Sequence, residues 1–160
     1  MKTDNSYFEE KVQLRLDCIK NKKIISVLDC FSGTGKLWQS VKNKSKCKIS
    51  IVGIEKEPGK NNMALPGDNL KYLKSIDLSK FDIIDLDAYG IPVAQLNILF
   101  DRNYKGTVVV TAIQSMLGQL PKKMLHEIGY TKEMIDKIPT LFNRNGIDKL
   151  KNYLYLHVYN

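Results

Sequence analysis

Apolar residues along this chain fall in short runs separated by polar turns, and the runs alternate between two periods. Ile24 to Leu28 is a compact apolar run, long enough for a buried strand and too short for a helix. Ile49 to Ile54, Phe81 to Leu86 and Thr107 to Ile113 read the same way. The last is β-branched enough to predict burial on both faces. Between these runs the spacing widens to three and four. Phe8, Val12, Leu16 and Ile19 mark one face of an amphipathic helix within residues 6–20. Leu37, Trp38 and Val41 mark the first crossover helix, with Trp38 in the core, and Val93 to Phe100 marks a later one. Leu65 and Leu70 to Leu73 leave room for only a reduced strand and helix between them. Leu117 to Ile128 and Thr131 to Ile138 read as helices, with Gly129 closing the first and Pro139 following the second. Tyr153 to Tyr159 alternates as an edge strand would. Strands alternating with helices predict an α/β fold: a doubly wound sheet with helices on both faces, in a single compact domain over residues 1–160. The helix within residues 1–22 is expected to cover the sheet or a cofactor pocket.

One junction carries the chemistry. The first strand ends at Asp29 and runs through Cys30-Phe31-Ser32-Gly33-Thr34-Gly35 into a helix beginning at Lys36. Two glycines let the backbone turn sharply and approach a ligand, and the helix start offers unpaired N–H groups. A dinucleotide reader would add a third glycine three positions after Gly35, where this chain has the bulky Trp38, so the nicotinamide fingerprint is incomplete. A carboxylate at Asp29 would repel a pyrophosphate but suits a ligand carrying an ammonium and a sulfonium. That favours S-adenosylmethionine over a nicotinamide cofactor.

Asp29-Cys30-Phe31-Ser32-Gly33-Thr34-Gly35 resembles the D-x-F-x-G-x-G signature of class I S-adenosylmethionine-dependent methyltransferases. The resemblance implies a Rossmann-like methyltransferase sheet and further contacts in a fixed order. Glu55, twenty positions past Gly35, stands where an acidic side chain accepts the ribose hydroxyls, with Lys56 beside it. Pro66-Gly67-Asp68-Asn69 is similar to the loop in which Asp68 accepts from the adenine amino group, with Asn69 adjoining. Phe31, Ser32 and Thr34 complete the implied cofactor set. Asp85-Leu86-Asp87-Ala88-Tyr89-Gly90-Ile91-Pro92 resembles the loop that holds an amine acceptor, and it is closest to the D-x-D-P-[FY]-G-x-P stretch of the tRNA (guanine-N2)-dimethyltransferase family. On that template Asp87 holds the amine, Tyr89 stacks on the base, and Asp85 is the third candidate catalytic residue. Val108 to Ala112 followed by Leu117-Gly118 is similar to that family's next strand and loop, so the resemblance spans roughly residues 24–118.

Two departures bear on function. Ala88 stands where the family has proline, which loosens the loop, and residues 1–160 are not expected to hold the family's large C-terminal RNA-binding domain. The implied activity is N-methyl transfer to an amino group of a nucleic-acid base, RNA ahead of DNA. A competing expectation is a catalytically silent cofactor-binding module that needs a partner subunit, and a weaker one is a nicotinamide-dependent oxidoreductase. Further candidate contacts are Gln114, Ser115 and Asn143-Arg144-Asn145. His126 and His157 have no evident partners and read as surface or packing residues.

Composition narrows the class without choosing the substrate. The 160 residues are 43% hydrophobic and 26% charged, which is globular rather than disordered. The polar first ten residues do not read as a signal peptide, and no apolar run reaches the length of a membrane helix. Cys18, Cys30 and Cys47 form no C-x-x-C pair. They are expected to pack in a reducing, cytoplasmic setting, with no metal site. A net charge of +8 points toward an acidic partner such as RNA or DNA, with Lys20, Lys22, Lys23, Lys42, Lys44, Lys46, Lys48, Lys122 and Lys123 as contributors.

Overall fold

The computed structural model describes residues 7–57, 59–111, 122–127 and 129–137. The chain divides into two compact units, one of Met1–Asp87 with Ala94–Val110 and one of Ala88–Val93 with Thr111–Asn160. Elements follow in the order α1 (Phe8–Cys18), β1 (Ile24–Asp29), α2 (Lys36–Lys44), β2 (Lys48–Glu55), β3 (Leu65–Pro66), α3 (Asn69–Ser75), a single 3-10 turn (Leu78–Lys80), β4 (Ile83–Asp87), α4 (Val93–Asp101), β5 (Thr107–Thr111), α5 (Lys122–Glu127) and α6 (Lys132–Lys137). The expected strand Tyr153 to Tyr159, together with Gln114, Ser115, Asn143, Arg144, Asn145 and His157, lies outside the described residues.

The five strands form one sheet in the order β3-β2-β1-β4-β5. β1 pairs in parallel with β2 on one side and β4 on the other, and β2 pairs in parallel with β3. The direction of winding therefore reverses between β1 and β4, the position where open α/β sheets leave a crevice at the carboxyl ends of their strands.

Strand alternation sorts the core into two layers. On one face Ile25 and Val27 of β1, Ile49 of β2, Ile83 of β4 and Val109 of β5 cluster with Val12 of α1, with Ile19 just past its end, and with Trp38 and Val41 of α2. α1 thus lies over the sheet face beside α2. Leu28, Ile84 and Leu86 alternate to the opposite face, and Leu73 of α3 with Leu96 and Leu99 of α4 are buried as well. Past the end of α4, the Arg102 guanidinium donates to the Leu73 and Ile76 carbonyls at the end of α3. The third strand and helix are as reduced as the sequence predicts, at two and seven residues.

Two expectations are corrected. β4 begins at Ile83, and Asp82 lies exposed before it, where its carboxylate accepts from the Ser26 N–H and hydroxyl, both at 2.8 Å. With the Ser26 N–H taken by that side chain, the β1–β4 register starts one residue on, at Val27 and Ile83. β5 is not buried on both faces: Val109 is buried, Thr107 is exposed, and Val108, Val110 and Thr111 are half-buried. Among the described residues it stands last in the sheet, where packing on its faces is incomplete.

In the second unit, α5 and α6 are joined through Gly129, whose φ of 94° only glycine adopts freely. The Thr131 hydroxyl caps α6 through the Met134 N–H, and Lys122 pairs with Asp136. Leu125 and Tyr130 are buried. His126 does have a partner, one too local for side-chain pattern to show: its Nδ1 lies 3.0 Å from the Tyr130 carbonyl across the turn.

Candidate functional site

The loop after β1 is built for close approach. Gly33 and Gly35 both take left-handed φ, at 55° and 75°. A Cβ at Gly33 would meet nothing nearer than 3.9 Å, whereas one at Gly35 would come within 3.0 Å of the Asn61 amide. Ser32 pins the turn: its N–H donates to the Ile54 carbonyl, its carbonyl accepts from the Gly35 N–H, and its hydroxyl accepts from the Asn61 amide. Gly53 of β2 leaves room for that hydroxyl, since a Cβ there would sit 2.5 Å from it. Gly35 also stands at the N-cap of the nine-residue α2 without a side-chain hydrogen bond, so the first-turn N–H groups have no side-chain cap.

The remaining expected cofactor residues gather around this loop within the larger unit. Glu55 ends β2, half-buried, with Oε1 accepting from the Glu57 N–H. Asp68 is the N-cap of α3, where Oδ1 accepts from the Leu70 N–H. Asn69 acts inside the protein: its amide donates to the Cys30 carbonyl at 2.7 Å while its oxygen accepts from Gln95 of α4. The loop after β1 is therefore tied to α3, and α3 to α4. Phe31 is half-buried, and Thr34 and Lys56 are exposed.

A row of carboxylates crosses the sheet at the switch between β1 and β4. Asp29 and Asp85 are register partners, and Asp87 follows two residues later on the same face of β4. Asp29 is buried, with Oδ1 accepting from the Phe31 N–H at 3.3 Å. Desolvation, followed by the neighbouring Asp85 charge, pushes its carboxyl well above the usual carboxylate range. Asp85 is completely buried, and both of its oxygens are taken. Arg15 of α1 donates Nε to Oδ2 at 2.6 Å and Nη2 to Oδ1 at 2.7 Å, while the Trp38 indole N–H reaches Oδ2 at 2.6 Å. Burial raises the Asp85 carboxyl, against the lowering pull of Arg15 and then Trp38.

Asp87 is more open. Lys11 lies 2.9 Å from Oδ1 and 3.2 Å from Oδ2, and Oδ1 is a buried oxygen without a properly aligned donor. Lys11 and Arg15 stand one helical turn apart, about 6 Å, and Asp85 and Asp87 stand two strand residues apart, about 6.6 Å. The two repeats match, so one helix face pairs with alternate residues of one strand. In the second unit Tyr89 is 67% exposed, while Gly90 and Pro92 are buried.

Arg15 and Lys11 escape a reading by hydrophobic pattern, because cations on a helix read as its solvated side. The signal that could have found them is the shared spacing: carboxylates at i, i+2 on an otherwise buried strand need cations, and this helix carries two at i, i+4.

Among the described residues no group of three His, Cys, Asp or Glu side chains is placed to hold a metal ion, and no helix is long and apolar enough to cross a membrane. No protein-family model matches the chain, and a search of curated proteins finds no match. Among solved structures, 70% of this chain superposes on 66% of yhhF from Escherichia coli, a presumed methyltransferase, with 16% identity and a TM-score of 0.44. The chain thus spans just under two thirds of that protein, and a likeness so distant does not assign an activity. What the strand order itself establishes is an α/β fold around a doubly wound parallel sheet, with a glycine turn at its switch point.

Proposed function

We propose that this chain is an S-adenosylmethionine-dependent methyltransferase acting on an amino group of a nucleic-acid base, with RNA as the acceptor. The observation that carries the reading is the loop Cys30 to Gly35 at the carboxyl end of β1, beside the switch point. There two left-handed glycines open into an α2 N-terminus without a side-chain cap.

The residues present fit such a cofactor. Gly33 and Gly35 give a cradle that side chains would narrow, and the N–H groups opening α2 suit its carboxylate. Glu55 keeps Oε2 for ribose hydroxyls while Oε1 holds its own loop. Asp68 caps α3 with Oδ1, which leaves Oδ2 to accept from an adenine amino group. Asn69 is assigned to shaping the loop rather than to touching the ligand. Asp29 supplies the acidic end of β1. A buried carboxyl whose pKa is raised by desolvation is one that an arriving cation would return to the charged form. When bound, the cofactor supplies an electrophilic methyl group on a sulfonium.

The protein's own part is orientation and proton handling. Asp87 is assigned to the acceptor amine: its carboxylate, part-exposed and held by Lys11, would accept an N–H and draw electron density onto a nitrogen whose lone pair is otherwise delocalised into the base. Tyr89, which the motif marks as a stacking platform, is largely exposed. Asp85, with both oxygens engaged by Arg15 and Trp38, is a positioning residue that sets the end of β4.

A second reading, a cofactor-binding module that becomes active only with a partner subunit, is favoured by the ion pair with which Lys11 holds Asp87. Transfer of a tritiated methyl group to total RNA by the isolated chain, with Asp87→Ala as control, separates the two. Incorporation that needs Asp87 supports the enzyme, and cofactor binding without incorporation supports the module.

A further inference from the structure

We propose that a lysine ridge at the amino-terminal edge of β1 and β2, the sheet edge opposite the glycine loop, docks the phosphate backbone of a base-paired nucleic acid. Between Asp17 and Glu55 the chain carries eight lysines and a single acidic residue, Asp29, which is buried. The surplus charge of the protein is therefore concentrated rather than spread over the surface. The fold gathers it further. β1 and β2 are parallel with Ile24 opposite Lys48, and the Lys48 N–H donates to the Lys23 carbonyl at 2.9 Å, which puts the two strand starts side by side. Lys23, Lys46 and Lys48 are all exposed there, and Lys42 is exposed in the last turn of α2. Among the described residues the ion pairs take only Lys44 from this group, through Glu9. Lys22 faces a separate groove with Asp77 and Asp82, whose carboxylates offset it, and is not counted in the ridge.

The chemistry selects the partner. Amino groups on flexible stems are point charges that suit phosphates, and clustered on one edge they gain affinity by releasing condensed counterions. No aromatic residue falls between Lys20 and Lys23 or between Lys42 and Lys48, so these two segments themselves bring phosphate contacts and no stacking platform to the ridge. Ile24, 70% exposed among these lysines, gives the ridge one apolar contact, suited to a sugar face. The ridge and the glycine loop lie at opposite ends of the six-residue β1, about 20 Å apart, so a nucleic acid seated on the ridge reaches the loop only by running along the protein.

The test is fluorescence anisotropy of the full chain with a fluorescein-labelled 20-base-pair RNA duplex across a salt series, comparing wild type with the triple variant Lys23→Gln/Lys46→Gln/Lys48→Gln. The expected result is duplex binding whose log-log salt slope shallows by about 2–3 in the variant, from about 0.9 per lost phosphate contact. Affinity at 0.1 M salt should fall at least about tenfold, with an unchanged melting temperature and unchanged thermal shift by S-adenosylmethionine. An unchanged salt slope in the variant would overturn the proposal. So would tighter binding of the single strand, or equal binding of phosphatidylserine vesicles. Because cofactor binding is read separately, failure here is distinct from failure of the methyltransferase reading.

Discussion

The Arg15 guanidinium grips both oxygens of Asp85 across seventy residues of sequence, with both side chains fully excluded from solvent. The bond fastens α1 to β4 at the last register pair it shares with β1. Trp38 adds a third donor from α2, so three elements converge on one carboxylate. Removing one partner of such a pair leaves a bare charge in the core, which costs far more than the pair contributes. Arg15→Met should therefore lower unfolding free energy by about 3–5 kcal/mol in denaturant titration, and Trp38→Phe by roughly 1–3 kcal/mol. The double variant Arg15→Met/Asp85→Asn should recover part of the loss, and a double variant no better than Arg15→Met would contradict the coupling.

Asp29 links pH to stability. Its carboxyl is raised in the folded chain by desolvation and then by Asp85, so the folded state keeps a proton that the unfolded state has released. The unfolded state binds fewer protons across that window, and stability falls as pH rises through it. The melting-temperature difference between wild type and Asp29→Asn should move in favour of wild type as pH falls from neutral toward about 4, near the ordinary carboxylate value. A difference that stays flat across the range would refute the assignment.

Gly53 is the position where a single methyl group should disturb the loop from a distance. An alanine Cβ would meet the Ser32 hydroxyl at 2.5 Å, displacing the residue that pins the glycine turn. Gly53→Ala should cost about 1–3 kcal/mol of stability by crowding. It should weaken cofactor binding in calorimetry more than an exposed control outside the site, such as Lys74→Ala, does.

Asp87 should separate chemistry from cofactor binding. Asp87→Asn keeps the shape of the side chain but removes the charge that would stabilise a developing cation, and loss of one such group typically costs about 10²–10³-fold in rate. Methyl transfer should fall by that order while the affinity for S-adenosylmethionine holds. Equal losses in both would move Asp87 from acceptor to cofactor.

Much of this architecture is legible in the sequence because it rests on periodicity. The runs at Ile24 and Ile49, the glycines at 33 and 35 and the shortened segment from Leu65 to Leu73 all appear where local pattern puts them. The α1 anchor is not legible. Arg15 sits on a helix whose apolar face is set by Val12 and Ile19, and nothing local distinguishes a buried guanidinium from a solvated one. Asp68 reads as a ligand contact and a turn residue at once, and the structure gives it a helix-capping bond that uses one oxygen and leaves the other. Its neighbour Asn69 reads as a cofactor contact from its place in the motif alone. Its bonds to the Cys30 carbonyl and to Gln95 join segments far apart in sequence, which no local pattern encodes. β5 reads as doubly buried from its Val108-Val109-Val110 run, but burial depends on neighbours that a single strand cannot announce.

Titration calorimetry of the intact chain with S-adenosylmethionine, its demethylated product and NAD, repeated on Glu55→Ala, tests the central claim most directly. The account predicts binding of S-adenosylmethionine, no comparable binding of NAD, and a loss of about tenfold or more in Glu55→Ala, the scale of one or two hydrogen bonds to a charged group. Tighter binding of NAD, or no binding of either adenosyl compound by the folded protein, would contradict it.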